Sequence, residues 1–393
     1  MPIPKRILFL YIAISSGHQR AAEAVMMALH QLNPHIIGHG VDSFTYAYPV
    51  LGPLLARLYL EMLQRTPQIW DYLYDNTTIA ESTKEIRELL NIFNNRKLFR
   101  LFKQFHPRAM VCTQAFPASI VAALKRKGKI RLPLIGIVTD YEMHTYWLSK
   151  EIDLFLVGSE DIKRDLIGRG VRESKILVTG IPIDPHFAVP GDKVQERKRL
   201  GLNPTLPTAL VMGGSRGLGP LEDVVQSLRT LQTPLQVLVV CGQNKAIYKK
   251  LRDRFKTDHS VRVFGYSKTI PRLMDAADLL ISKPGGLTCA ESLAKGLPLV
   301  MISPIPGQEE RNARYLLKHG AAVRADNLRD LQNEVRSLLT HRQRFLRLQE
   351  RQRALAKPRA AYDAAEAILR LMGEPVLEKP WGGDPENIPP GQR

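Results

Sequence analysis

The chain has 393 residues, is 44% hydrophobic, and carries 56 Lys and Arg against 38 Asp and Glu, a formal net charge of +18. At about 100–200 residues per domain this length provides for two or three domains with real cores, and it excludes a wholly disordered chain. The charge draws the protein toward polyanions, whether nucleic acid, anionic membrane or phosphorylated substrates, without choosing among them.

Lys5-Arg6 and the apolar run Ile7–Ile14 imitate the start of a secretory signal. The run is far shorter than the about 20 residues of a membrane span, and Ser15-Ser16-Gly17-His18 follows it in place of a small-x-small cleavage pattern. The prediction is therefore a buried first strand over Arg6–Ile14, then a helix over Ala21–Leu32, where apolar residues recur at helical spacing. Further strands are expected at Ile36–Val41, Ala109–Cys112, Leu134–Thr139, Leu154–Val157 and Ile176–Thr179, with helices at Ala118–Lys127 and Asp161–Arg169 among them. Such alternation implies a mostly parallel sheet covered by helices on both faces.

Between Gly180 and Pro207 prolines and glycines interrupt every pattern, which reads as an interdomain linker. A second series follows, with strands at Thr208–Met212, Gln236–Cys241, Val261–Phe264, Leu279–Ser282 and Leu299–Ile302 and helices at Leu221–Leu231, Lys245–Phe255, Thr288–Ala294 and Glu310–Lys318. Two Rossmann-like halves in tandem are expected. Leu328–Met372 reads as helical and very basic, and the Gly- and Pro-rich tail Gly382–Arg393 as disordered. The cysteines, Cys112, Cys241 and Cys289, lie far apart in apolar segments, which offers neither a disulfide framework nor a zinc pattern and fits a reducing cytosol.

In open α/β sheets ligands bind at the carboxyl ends of the strands. Three loops stand there: Ser15–His18, Gly213–Gly219 and Lys283–Thr288. The latter two let backbone N–H groups and a positive helix end approach a diphosphate. Neither is a Walker A loop or a Gly-x-Gly-x-x-Gly fingerprint. From Lys283 to Asn312 the pattern is more specific. A glycine turn with Thr288 is followed one helical turn on by Glu291, suited to ribose hydroxyls, and then by Gln308, Glu309 and Asn312 after the next strand, suited to sugar hydroxyls. This is a nucleotide-sugar pattern.

These residues resemble the monogalactosyldiacylglycerol synthase and processive diacylglycerol glucosyltransferase family, relatives of the peptidoglycan N-acetylglucosaminyltransferase. The resemblance spans roughly Ile7–Met372. It rests on Ser16-Gly17-His18-Gln19-Arg20-Ala21-Ala22, Tyr46–Pro49, Thr66–Tyr74, Gly-Gly-Leu-Thr-x-x-Glu at Gly285–Glu291 and Gly-Gln-Glu-x-x-Asn-Ala at Gly307–Ala313. It implies an α/β chain of GT-B fold, two Rossmann-like domains facing across a cleft, and an inverting transfer. The division expected is 1–185 for the lipid acceptor, 186–357 for the UDP-sugar, 358–372 as a helix returning to the first domain, and 373–393 as a disordered tail.

By the same resemblance Gly214, Ser215, Gly286 and the backbone of Leu287 and Thr288 face the diphosphate, and Gly265, Tyr266 and Ser267 flank the uracil. Glu291 binds ribose, while Gln308, Glu309 and Asn312 stand at the sugar. Inverting transfer needs a base and a clamp for the leaving diphosphate. His18, at a loop-to-helix junction, is the expected base, with helix capping as the competing reading; Asp140 and His144, after another strand, form the rival pair. Ser15 and Ser16 stand where family members often carry glycine, and Asp184 where some relatives carry a basic residue, so no phosphate role transfers to that position. No cofactor or metal is expected, since no Asp-x-Asp pair ends a strand.

The segment Phe44–Tyr74, with Tyr46, Leu51, Tyr59 and Trp70, is the expected lipid-capture element. Leu98, Leu101, Phe102 and Phe105 fall on one helical face bordered by Arg96, Lys97, Arg100 and Lys103, which suits an interfacial helix but also an ordinary sheet-packing one. The basic run His341–Arg353 reads as a solvated face whose sign fits an anionic bilayer. Nucleic-acid motifs are absent. The expected protein is a cytoplasmic enzyme on the cytoplasmic face of the membrane, moving a hexose from UDP-galactose or UDP-glucose to diacylglycerol. The alternatives are N-acetylglucosamine transfer to a polyprenyl-linked or other lipid, and a UDP-sugar or lipid sensor without turnover.

Overall fold

The structure, a computed structural model, describes residues 5–13, 16–47 and 97–377. The chain divides into two compact units, one running to Pro185 and resuming at Arg359, the other spanning His186–Pro358. Each carries a six-stranded, wholly parallel sheet.

In the first unit the strands are β1 (Lys5–Tyr11), β2 (Ile36–Asp42), β3 (Ala109–Cys112), β4 (Leu134–Ile137), β5 (Leu154–Val157) and β6 (Ile176–Val178), in the order β2-β1-β3-β4-β5-β6. Side chains alternate along a strand, so Ile7 and Phe9 of β1 enter one core and Leu8 and Leu10 the other, all fully buried. A strand covered on both faces must be apolar at every position, which is why β1 reads as an unbroken run. The Ile7 face is covered by helix Ser16–Leu32 and by helix Ala360–Leu371, whose Ala361, Ala364 and Ala365 pack in the same core as Ala22, Val25 and Ala28. Tyr362 donates its hydroxyl to Gln31 Oε1 at 2.6 Å, and the Leu377 N–H donates to the Leu32 carbonyl at 2.9 Å. The last helix thus completes a core begun at β1.

The Leu8 face is covered by a helix over 97–105 and by helix Ala115–Arg126. Leu98 and Phe102 are buried against the sheet, with Leu101 and Phe105 beside them, so the basic-bordered helix is a sheet-packing element. The expected lipid-capture segment lies outside the described residues from position 48 onward; Tyr46, before it, is exposed.

The second unit holds β7 (Thr208–Met212), β8 (Gln236–Val240), β9 (Val261–Phe264), β10 (Leu279–Ser282), β11 (Leu299–Ile302) and β12 (Val323–Ala325), in the order β12-β11-β10-β7-β8-β9. Two expectations change here. The stretch from His186 to Pro207, expected as linker, belongs to this unit and contains helix Lys193–Arg199. Arg197, only 5% exposed, donates to the carbonyls of Ala276 at 2.9 Å and Pro204 at 3.0 Å and pairs with Asp278, so a buried, paired guanidinium docks the segment. The three-residue edge strand β12 was not expected, because Arg324 interrupts its apolar pattern. The basic helix Arg342–Leu355 buries only Leu348 and Gln352 and leaves Arg342, Arg347 and Arg351 exposed.

Candidate functional site

In the first sheet β2 and β3 flank β1 on opposite sides, so the chain reverses its winding direction there. The helix after β1 covers one face and the helix after β3 the other, so the two loops part and leave a crevice at the carboxyl edge. His18 stands in this crevice, in the first turn of helix Ser16–Leu32. Two threonines hold it. Thr113, the residue after β3, donates its hydroxyl to the His18 carbonyl at 2.9 Å, and Thr139, just beyond β4, has its hydroxyl 3.0 Å from His18 Nδ1.

Burial is the main force on this imidazole: it pushes the His18 pKa down from the ordinary 6.5 to about 4, against an opposing interaction with the Thr113 backbone. The positive end of the helix also disfavours an imidazolium at that place. At neutral pH His18 is therefore an uncharged ring.

Asp140 follows Thr139 directly and is partly buried; the structure thus places it one residue from the hydroxyl that touches His18. His144 lies further along the same loop, where it precedes the 3-10 turn Thr145–Trp147 and sets its ring edge-on to Tyr146 at 5.5 Å. The loop is anchored by Trp147, whose indole lies 3.0 Å from where a side chain on Gly136 of β4 would begin. The sheet edge gathers His18 and Asp140 into one neighbourhood, with His144 beyond it.

In the second sheet the winding reverses between β7 and β10. The β7 loop, Gly213–Gly219, is shaped by its glycines, two of which, Gly213 and Gly217, leave no room for a Cβ. Gly217 has φ +63°, and a Cβ there would stand 1.9 Å from the Cys241 carbonyl oxygen. The β8 loop closes on it, with the Gln243 N–H donating to the Ser215 carbonyl at 2.8 Å and Asn244 Nδ2 to the Gly217 carbonyl at 3.2 Å. Gly214 has φ +68° and faces open space. Arg216 is partly buried in the same loop, and burial lowers its pKa.

Beside it, the β10 loop Lys283–Gly285 opens into helix Gly286–Lys295, whose N-terminus bears no acidic residue and no side-chain cap. Its first N–H groups are thus not taken by a side-chain cap, as an anion site requires. Leu287 and Thr288 lie in its first turn, and Glu291 one turn later. Lys283 Nζ pairs with Glu309 Oε1 at 3.1 Å, and Glu309 Oε2 accepts the Ile305 N–H at 2.7 Å, so Glu309 joins the β10 loop to the β11 loop. Asn312, fully buried, donates from Nδ2 to the Pro284 carbonyl at 3.1 Å. Gln308 opens helix Gln308–Lys318 behind a loop in which Ser303 adopts φ +43°. Gly265, Tyr266 and Ser267 follow edge strand β9, two strands from β7; Tyr266 is 49% exposed and Ser267 hydrogen-bonds Thr269. Among the described residues no three His, Cys, Asp or Glu side chains gather as a metal ligand set.

The model of the monogalactosyldiacylglycerol (MGDG) synthase family matches residues 18–183, and that of the glycosyltransferase family 28 C-terminal domain matches residues 208–368. These two matches, in tandem, carry the resemblance to glycosyltransferase family 28, on its monogalactosyldiacylglycerol synthase side, through most of the chain. A processive diacylglycerol beta-glucosyltransferase of Bacillus pumilus is 28% identical to it over 93% of this chain and 94% of its own length. A namesake from Staphylococcus haemolyticus is 29% identical over 79% and 78%. MurG of Acinetobacter baumannii shares the architecture with a TM-score of 0.60 at 16% identity, covering 93% of this chain and all of that one. The glycosyltransferase is therefore of the GT-B, two-Rossmann-domain class; the first matched region lies in the first unit, and the second covers most of the second unit and runs on into the helix that returns to the first.

Thr113, Thr139, Lys283 and Arg216 carry contacts or charge at the site that the sequence did not assign. The common signal is a polar residue at or just beyond the end of a predicted strand, too frequent to single out without the strand order.

Proposed function

We propose that this glycosyltransferase moves glucose from UDP-glucose to the free hydroxyl of diacylglycerol, forming a β-glycolipid. The donor sits on the second unit and the base on the first. The observation that carries the reading is His18, uncharged at neutral pH and held at the carboxyl-edge crevice of the first sheet by Thr113 and Thr139.

The acceptor oxygen attacks the anomeric carbon while the bond from that carbon to the diphosphate breaks. The proton of the acceptor hydroxyl passes to His18, and UDP leaves with the electron pair. Such a base contributes about 10²–10⁴-fold. The leaving charge falls to the N-terminus of helix Gly286–Lys295 and the Gly213–Gly219 loop, with Arg216 and Lys283 beside them. Support for glucose over galactose comes from the names of the relatives. Support for diacylglycerol comes from the same names and from the family model on residues 18–183.

Among the described residues no helix is long and apolar enough to cross a membrane. The reading therefore adds peripheral attachment to the cytoplasmic face, favoured by a net charge of +18 and by the exposed Arg342 and Arg347.

The test supplies radiolabelled UDP-glucose, UDP-galactose and UDP-N-acetylglucosamine to the purified protein with diacylglycerol vesicles, with and without anionic lipid. Label from UDP-glucose should enter the organic phase, more of it with anionic lipid, and His18→Ala should lower the rate at least about 100-fold. Label from UDP-N-acetylglucosamine alone, or from no donor while UDP still binds, would overturn the reading.

A further inference from the structure

We propose that Glu309 is a positioning residue for the donor: it holds Lys283 and the β10 loop in place for the diphosphate, and acts on the UDP half of the donor rather than on its sugar. This rests on the nucleotide-sugar reading above and goes beyond it, because the sequence pattern set this carboxylate at the sugar.

Strands β10 and β11 are neighbours in parallel register, with Ser282 opposite Met301, so their loops leave the sheet side by side. Glu309 is the second residue of helix Gln308–Lys318, which follows the β11 loop. Its two oxygens serve different loops. Oε1 meets Lys283 Nζ at 3.1 Å, reaching back to the β10 loop, and Oε2 accepts the Ile305 N–H at 2.7 Å, holding its own. The Lys283 side chain is only 11% exposed and that of Glu309 18%. An ammonium so far out of water needs a counter-charge, and Glu309 supplies it.

Lys283 stands three residues before helix Gly286–Lys295, and the turn between is closed by the Gly285 N–H donating to the Lys283 carbonyl at 2.9 Å. Where Lys283 is held therefore sets where that helix begins. Asn312, one turn beyond Glu309 on the same helix face, donates to the carbonyl of Pro284, the next residue of the loop. Helix Gln308–Lys318 thus grips the β10 loop twice, once through a charge and once through an amide. A carboxylate that turned to a sugar hydroxyl would leave Lys283 without its counter-charge and the Ile305 N–H without its acceptor.

The experiment measures the affinities of UDP and UDP-glucose for the full chain by calorimetry, in wild type, Glu309→Gln, Lys283→Met and the double variant. Glutamine keeps an oxygen for the Ile305 N–H and removes the charge that meets Lys283. Glu309→Gln should weaken UDP and UDP-glucose by the same factor, about 10-fold. Added to Lys283→Met, it should change either affinity by less than about twofold, because the partner it acts through is gone. If Glu309→Gln alone does not fold, the double variant, which leaves neither charge of the pair, decides by the same comparison: equal losses for the two ligands uphold the proposal.

A loss confined to UDP-glucose would make Glu309 a sugar contact and overturn the proposal. Tighter UDP in Glu309→Gln would overturn it as well, being the effect of removing a negative charge that held nothing in place. So would an undiminished loss in the Lys283→Met background. Failure of the wider reading looks different: the wild type would then bind no UDP at all, before any variant is compared.

Discussion

Lowering the pH should destabilise the first unit through His18, and the size of the effect follows from its burial. In the unfolded chain His18 takes up a proton near its ordinary 6.5, whereas in the folded protein burial delays protonation to about 4. Between those values the unfolded state binds more protons, so stability falls as the pH falls; above 6.5 neither state is protonated and below 4 both are. At about 1.36 kcal/mol per pH unit, the window amounts to roughly 3 kcal/mol, a large part of the stability of an ordinary domain. Other groups titrate in the same range, so the quantity to measure is the difference between wild type and His18→Gln, which lacks the titration.

Urea unfolding followed by Trp147 fluorescence, with Trp70 and Trp381 replaced by phenylalanine in both proteins, reports on the first unit, since Trp147 is buried in its core. Wild type should lose about 3 kcal/mol more than the glutamine variant between pH 7 and pH 4, and the excess loss should stop below pH 4. Parallel stability curves for the two proteins would refute the assignment of a desolvated neutral His18.

Gly217→Ala should cost more than about 2 kcal/mol, because the new Cβ meets the Cys241 carbonyl at 1.9 Å in a left-handed conformation, whereas Gly214→Ala, at φ +68° but facing open space, should cost about 1 kcal/mol; thermal melting separates them, and equal losses would contradict the close packing of the two loops. Arg197→Met should destabilise the second unit by about 3 kcal/mol, since it strips a buried ion pair and the partners of two carbonyls; a loss under about 1 kcal/mol in urea unfolding would mean the helix Lys193–Arg199 docks by other means. Burial raises the thiol pKa of Cys112, and that of Cys241 to about 11, and Cys289 is buried too. Ellman's reagent at pH 8 should therefore leave the native protein untouched and find three thiols after denaturation; rapid reaction of the native protein would refute it.

The central strands were legible because a parallel strand covered on both faces must be apolar throughout. Ala109–Cys112, Thr208–Met212 and Leu279–Ser282 coincide with the strands expected from their apolar runs. Helix starts were less so: Ser16–Leu32 begins five residues before its apolar periodicity, since its first turn faces the crevice rather than a core. Edge strand β12 escaped because three residues containing Arg324 carry no pattern. In the helix over 97–105 periodicity registered an apolar face but not what covers it; a sheet or a bilayer would select the same residues.

For the site, the residue types were readable from sequence alone. Glycine where the backbone must turn left-handed, an uncapped helix after a glycine pair, and a histidine at a loop-to-helix junction are local requirements, met by local composition. What the tertiary structure decided is adjacency. Thr113 and Thr139 lie 95 and 121 positions from His18, and nothing nearby in sequence relates them. They meet it because the sheet places β3 and then β4 beside β1, bringing the segments that follow these three strands to one edge. The same holds for Lys283 and Glu309, joined across the ends of β10 and β11. Backbone chemistry is written along the chain, whereas a buried, uncharged imidazole depends on partners that only strand order supplies.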